Sequence, residues 1–142
     1  MLLSEAAASF RAQADAAGVE LTVNVAPDLP LMELDPERIR EVLGNLLSNG
    51  LRHTARGGAL AITAEPAEEK NVRVTVADTG AGIPPEALPR VFDRFYKSAD
   101  SDGSGLGLAI AKNLVTAHGG EITAESDGVP GQGTTIKFTL PL

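Results

Sequence analysis

The chain has 142 residues, 43% of them hydrophobic and 22% charged, as expected of one globular domain large enough for a real core. Its formal net charge of −7 argues against a nucleic-acid surface, which would be basic, and any bound phosphate must be held by local groups or a cation against the overall field. Cysteine is absent, which excludes disulfides and thiolate metal sites, and with aromatics at only 4% the core must be built from Leu, Val, Ile and Ala.

In chain order, the alanine-rich stretch Ser4 to Ala17 predicts a helix with Gly18 as its stop. Val19 to Val25 alternates as a strand. Asp35-Pro36-Glu37 opens a second helix, with Asp as cap and Pro at the first position. It runs to about His53 and carries Ile39, Val42, Leu43, Leu46, Leu47 and Leu51 on one face. Ala59 to Glu65 and Val72 to Ala77 read as two strands around a polar turn, and Pro85 to Val91 as a short helix. Gly105 to Ala117 is a third long helix with Leu106, Ala109, Ile110, Leu114 and Val115 inward. Glu121 to Glu125 and Thr134 to Leu140 close the chain as a hairpin joined by a glycine-rich loop. Two consecutive hairpins imply a mixed, largely antiparallel sheet of about five strands. Three helices over one face give a two-layer α/β sandwich, one domain spanning residues 1–142. No apolar run is long enough to span a bilayer, and Glu5 falls where a signal peptide needs a basic segment, so a cytoplasmic location is expected, free or as the cytoplasmic portion of a membrane-anchored protein, with no direct membrane contact by this domain.

Three stretches carry candidate chemistry. Asp78-Thr79-Gly80-Ala81-Gly82 places a carboxylate where a strand ends, followed by glycines that allow close backbone approach. Asp78 could accept from an exocyclic amine such as that of adenine, over a floor of Gly80 and Gly82; the same residues also suit a turn without a ligand. On the middle helix Glu41, Asn45 and Asn49 are spaced by four, with Arg52 and His53 continuing the stripe. A solvated face is one reading. Asparagine is a poor mid-helix residue, however, so two of them ask for a role. An amide oxygen suits Mg²⁺ shared with phosphate, and Arg52 can add a phosphate contact. Gly103-Ser104-Gly105-Leu106-Gly107 opens the third helix, where unpaired N–H groups and the helix dipole favour an anion. No strand precedes it and no Gly-Lys-Ser/Thr follows, so neither the dinucleotide fingerprint nor the P-loop applies.

Five boxes stand in a fixed order: Asn45-Leu-Leu-Ser-Asn49, Asp78-Thr-Gly-Ala-Gly82, Phe92-Asp-Arg-Phe95, Gly103-Ser-Gly-Leu-Gly107 and Gly131-Gln-Gly-Thr134. This series resembles the catalytic ATP-binding domain of bacterial two-component sensor histidine kinases, in the GHKL superfamily, over essentially the whole chain. The resemblance implies the GHKL sandwich, with ATP between the helices under a lid. It implies that Asn49 binds Mg²⁺, that Asn45 is the polar residue one turn earlier, and that Arg52 and His53 lie at the phosphates and beside the nucleotide. Asp78 would read the adenine amine, with Gly80 and Gly82 giving room and Thr134 in support. Phe92 and Phe95 would anchor the lid, or simply pack in the core. Arg94 and Lys97 are candidate phosphate contacts, and Gly103, Gly105, Leu106 and Gly107 form the lid's phosphate side.

The departures also carry expectations. Hydrolysing relatives have a glutamate where this chain has Asn45, and an amide cannot act as general base, so ATP hydrolysis is expected to be poor. Gly50 softens the middle helix and the lid is short. Neither His53 nor His118 has a phosphoacceptor context. The acceptor is therefore expected on a separate helical hairpin, in the same protein or in trans, with a response regulator downstream and this domain monomeric. The alternatives are a nucleotide-binding module without transfer activity and a serine kinase of the anti-sigma type.

Overall fold

The structure, a computed structural model, describes residues 2–26, 35–80, 82–84, 86–93, 107–126, 128 and 131–141. The alanine-rich start forms two helices, α1 (Leu2–Ala8) and α2 (Arg11–Ala17), where its composition predicts one. The break has a local cause. Ser9 Oγ donates to the Ala6 carbonyl at 2.7 Å, the acceptor that the Phe10 amide would use in a continuous helix, and that amide turns to Ala7 instead. Phe10 then packs against the core. Gly18 ends α2 in the left-handed region (φ 72°), its N–H reaching back to Ala14 and Asp15. From α2, the Arg11 guanidinium donates to the Leu21 carbonyl on β1 (Glu20–Val25) at 2.9 Å.

Helix α3 (Pro36–His53) opens as its sequence predicts. The Asp35 carboxylate accepts from the Glu37 and Arg38 amides at 3.1 and 3.4 Å, and Pro36 occupies the first turn. Its stripe of Ile39, Val42, Leu43, Leu46 and Leu47 is buried, with Leu51 packed alongside. Two hairpins follow. Strands β2 (Ala59–Ala67) and β3 (Asn71–Asp78) join through a 3₁₀ turn at Glu68–Lys70. Strands β4 (Glu121–Ser126) and β5 (Thr134–Pro141) follow α4 (Gly107–Ala117). The expected short helix near Val91 is a single 3₁₀ turn, Leu88–Arg90.

The sheet order is β1-β2-β3-β5-β4. Every pair is antiparallel except β1–β2, which α3 connects as a crossover. Alternation sends Leu60, Ile62, Ala64, Val72, Val74, Val76, Ile136, Phe138 and Leu140 into one core with the α3 stripe. This is the expected two-layer α/β sandwich with a mixed sheet, its helical layer built, among the described residues, from four helices because the first is broken.

Two further sequence expectations change. Ile110 is 36% exposed rather than inward. The inner face of α4 is centred on Ala111 and Val115, one turn apart and fully buried, which leaves Ile110 about 100° round the helix. Gly50 has a packing reason beyond any softening of α3: a Cβ there would stand 2.6 Å from Leu60 Cδ1, so glycine lets the helix settle onto β2.

Candidate functional site

Asp78 continues the period-two series Val72, Val74, Val76, so strand geometry puts its carboxylate on the core face at the end of β3. It is only 8% exposed. Oδ1 accepts from the Gly80 amide at 2.9 Å and from the Thr134 amide at 3.2 Å. Among the described residues no hydrogen bond falls on Oδ2. Burial pushes the carboxyl pKa above the ordinary aspartate value, and the two amides and nearby His53 pull the other way without cancelling it.

The loop after β3 is held on every side. Thr79 Oγ1 accepts from the Ala59 amide, and the Thr79 amide donates to the Ala59 carbonyl. Gly80 lies so close to the end of α3 that a Cβ would collide with the His53 carbonyl. Its own carbonyl accepts from the Gly131 amide at 3.0 Å. Gly82 adopts φ 81° beside Ser126 and Gly128. Gly133 backs directly onto the Asp78 carbonyl, a position any side chain would block. Thr134, next in line, is 4% exposed.

Over this loop lies the polar stripe of α3. Asn49 is 9% exposed. Asn45 Nδ2 and His53 Nε2 are both buried without a hydrogen-bond partner among the described residues. The first turn of α4 meets the stripe: a Cβ on Gly107 would lie 3.8 Å from Asn45 Oδ1. Arg52 is exposed and donates to Ser48 Oγ one turn back at 3.2 Å. Glu41 is exposed and paired with Arg38 at 3.8 Å, one turn before Asn45. The structure therefore gathers Asn45, Asn49, His53, Asp78, Gly80, Gly82, Gly107 and Thr134 around the ends of α3, β3 and β5 and the start of α4. Arg94, Lys97, Phe95, Gly103, Gly105 and Leu106 lie outside the described residues. Phe92 packs against the core, with Lys112 Nζ 5.9 Å from its ring centroid.

Two participants escaped the sequence reading. Thr79 clamps the strand end, and Ser126 binds three backbone groups around the loop. The one signal for Ser126 was a short hydroxyl side chain just before Asp127-Gly128, a combination that favours side-chain-capped turns. Among the described residues there is no cluster of three or more His, Cys, Asp or Glu able to hold a metal, and no helix long and apolar enough to cross a membrane.

A family model described as histidine kinase-, DNA gyrase B-, and HSP90-like ATPase matches residues 34–142. The sensor histidine kinase WalK of Bacillus subtilis (strain 168) is 44% identical over 122 residues, a match covering 81% of this chain and 20% of WalK. Full-length ShkA in complex with AMPPNP superposes with a TM-score of 0.88 at 35% identity, over 99% of this chain and 29% of ShkA. Histidine kinase ThkA in complex with response regulator protein TrrA gives a TM-score of 0.80 at 28% identity, over 99% of this chain and 39% of the ThkA chain. The chain thus spans a fifth of the length of WalK. With the ordered boxes and the five-stranded sandwich in agreement, the chain belongs to the histidine kinase-, DNA gyrase B-, and HSP90-like ATPase family.

Proposed function

We propose that this domain binds ATP·Mg between α3 and α4 and donates the γ-phosphate to a histidine on a separate helical hairpin, in two-component signal transduction. One observation carries the reading. Asp78 is buried at a strand end with Oδ1 engaged twice and, among the described residues, no hydrogen bond on Oδ2, while α3 carries two buried nitrogens, of Asn45 and His53, without a partner among the described residues. Buried polar groups are ordinarily satisfied, so two unpartnered nitrogens along α3, with the Asp78 carboxylate beyond them, fit a polar ligand lying along that helix. Adenine fits beside Asp78: its exocyclic amine would donate to Asp78 Oδ2, Thr134 supports Asp78, and His53 would lie alongside the nucleotide, while Gly80 and Gly82, expected to leave room for the ring, instead let the loop backbone close onto α3 and onto Ser126 and Gly128. Arg52, Asn45 and the segment carrying Arg94, Lys97, Gly103, Gly105, Leu106 and Gly107 would meet the phosphates. The relative bound to AMPPNP and the relative bound to a response regulator support the nucleotide and the downstream partner.

The donor set fits Mg²⁺ of a particular kind. Asn49 offers a largely buried amide oxygen, and no carboxylate cluster exists among the described residues. The cation would therefore be shared with phosphate oxygens rather than caged by protein. When bound, it supplies neutralisation of phosphate charge. The chain's own part is positioning: Asp78 fixes the base, and α3 orients the phosphates toward an incoming acceptor. Asn45 cannot take a proton from water, and Glu41, one turn further back, is an exposed carboxylate 3.8 Å from Arg38. The phosphate is thereby reserved for the acceptor histidine, in the cytoplasm where ATP is held.

Mixing the chain with a matching phosphoacceptor hairpin and labelled ATP tests the proposal. The expected product is acid-labile, alkali-stable phosphohistidine on the hairpin. Tight ATP binding without transfer to any matching hairpin would reduce the domain to a nucleotide-binding module, and an alkali-labile product would make it a serine kinase.

A further inference from the structure

Ser126 closes β4 opposite Thr134 in the strand register. Its hydroxyl is used to capacity. It donates to the Gly133 carbonyl at 2.9 Å and accepts from the Ile83 amide at 2.8 Å and the Gly128 amide at 3.1 Å. A serine hydroxyl has one proton and two lone pairs, so nothing is left over. The three partners come from different walls of the site. Ile83, 8% exposed, belongs to the loop that follows Asp78. Gly133 presses on the Asp78 carbonyl and precedes the Thr134 amide that donates to Asp78 Oδ1. Gly128 sits against Gly82. One oxygen therefore pins both backbone segments that aim the Asp78 carboxylate.

We infer that Ser126 is a positioning residue for adenine selectivity: it holds the loop after β3 against the start of β5 so that Asp78 Oδ2 points at the base. It touches neither nucleotide nor phosphate and acts only through Asp78. Without the hydroxyl, the buried Ile83 amide loses its acceptor and the Gly133 carbonyl its donor. The loop then shifts while the β4–β5 ladder, made of backbone bonds, remains. The inference rests on the reading of Asp78 as the adenine contact.

The test compares ATP with inosine triphosphate, which carries a carbonyl where adenine carries its amine, using calorimetry on the intact chain. The wild-type protein should prefer ATP. In S126A, ATP affinity should fall about three- to tenfold with inosine triphosphate affinity unchanged, so that the preference narrows. Ser126→Thr, which keeps a hydroxyl, should restore the preference. The Ile83 amide should be protected from hydrogen exchange in wild-type and Ser126→Thr protein and unprotected in S126A. A merely structural serine would lower both affinities together or only the melting temperature, and either outcome overturns the inference, as does full retention of the preference in S126A. A wild-type protein that does not distinguish the two nucleotides overturns the Asp78 reading and this inference with it.

Discussion

Replacing Asp78 by Asn separates two consequences of one buried carboxylate. The variant keeps an oxygen for the Gly80 and Thr134 amides, now 2.9 and 3.2 Å away, so the loop retains its anchor. It replaces the open Oδ2 acceptor with an NH₂ donor. Against the adenine amine, donor then meets donor, and the loss is that of a hydrogen bond to a charged group, about 1.5–3 kcal/mol. That corresponds to roughly 10- to 150-fold weaker ATP binding, measured by calorimetry near neutral pH. Stability moves the opposite way. Burial raises the folded carboxyl pKa above its unfolded value, so the folded state holds the proton more tightly. The contribution of Asp78 to stability is complete below the unfolded value, near pH 4, and is lost as pH rises through the folded one. Without nucleotide, Asp78→Asn should therefore melt above wild-type near pH 7, with the gap closing as pH falls toward about 4. Unchanged ATP affinity would remove Asp78 from the base site. A melting temperature lowered equally at every pH would show that the hydrogen bonds, and not the buried charge, govern this position.

Two further substitutions test the scaffold. Gly50→Ala gains roughly 0.5–1 kcal/mol of helix propensity. It must also fit a methyl 2.6 Å from Leu60 Cδ1 in a fully buried setting, where overpacking costs about 1–3 kcal/mol, so thermal melting should show no gain; a clear rise would mean that Leu60 yields freely. Asp35→Ala removes the cap that accepts from Glu37 and Arg38 and should lower stability by about 1 kcal/mol in urea titration. ATP affinity should stay near wild-type, because the cap lies at the opposite end of α3 from His53.

Much of this was legible because the strands alternate cleanly and each helix carries its own punctuation. Asp78 shows why: the parity that buries Val72, Val74 and Val76 also fixes which way a carboxylate two residues on must face. What escaped depends on partners distant in sequence or on single side chains. The break at Ser9 comes from a hydroxyl that competes for a carbonyl, which summed helix propensity does not register. Ile110 is as apolar as its neighbours, and only the packing of α4 on the core decides that Ala111 turns inward in its place. Gly50 reads as a helix weakness until Leu60, across on β2, is seen against it. Ser126 has no spacing signature, since its partners at Ile83, Gly128 and Gly133 converge only after two loops have folded together.

The open sheet also has two rims, β1 and β4, and a bare rim is a template on which another chain can add a strand. Even-numbered residues of β1 turn toward β2, since Glu20 and Ala26 bond across to it, so Leu21 turns its carbonyl outward. Arg11 occupies that carbonyl. A chain docking there would first have to displace a guanidinium. At the other rim, Glu121 and Glu125 stand exposed on β4, and a second copy pairing there would bring like charges together in a molecule that is already acidic. The short helix α2 therefore acts as an aggregation guard, and deleting it would expose a hydrogen-bonding edge as well as removing core contacts.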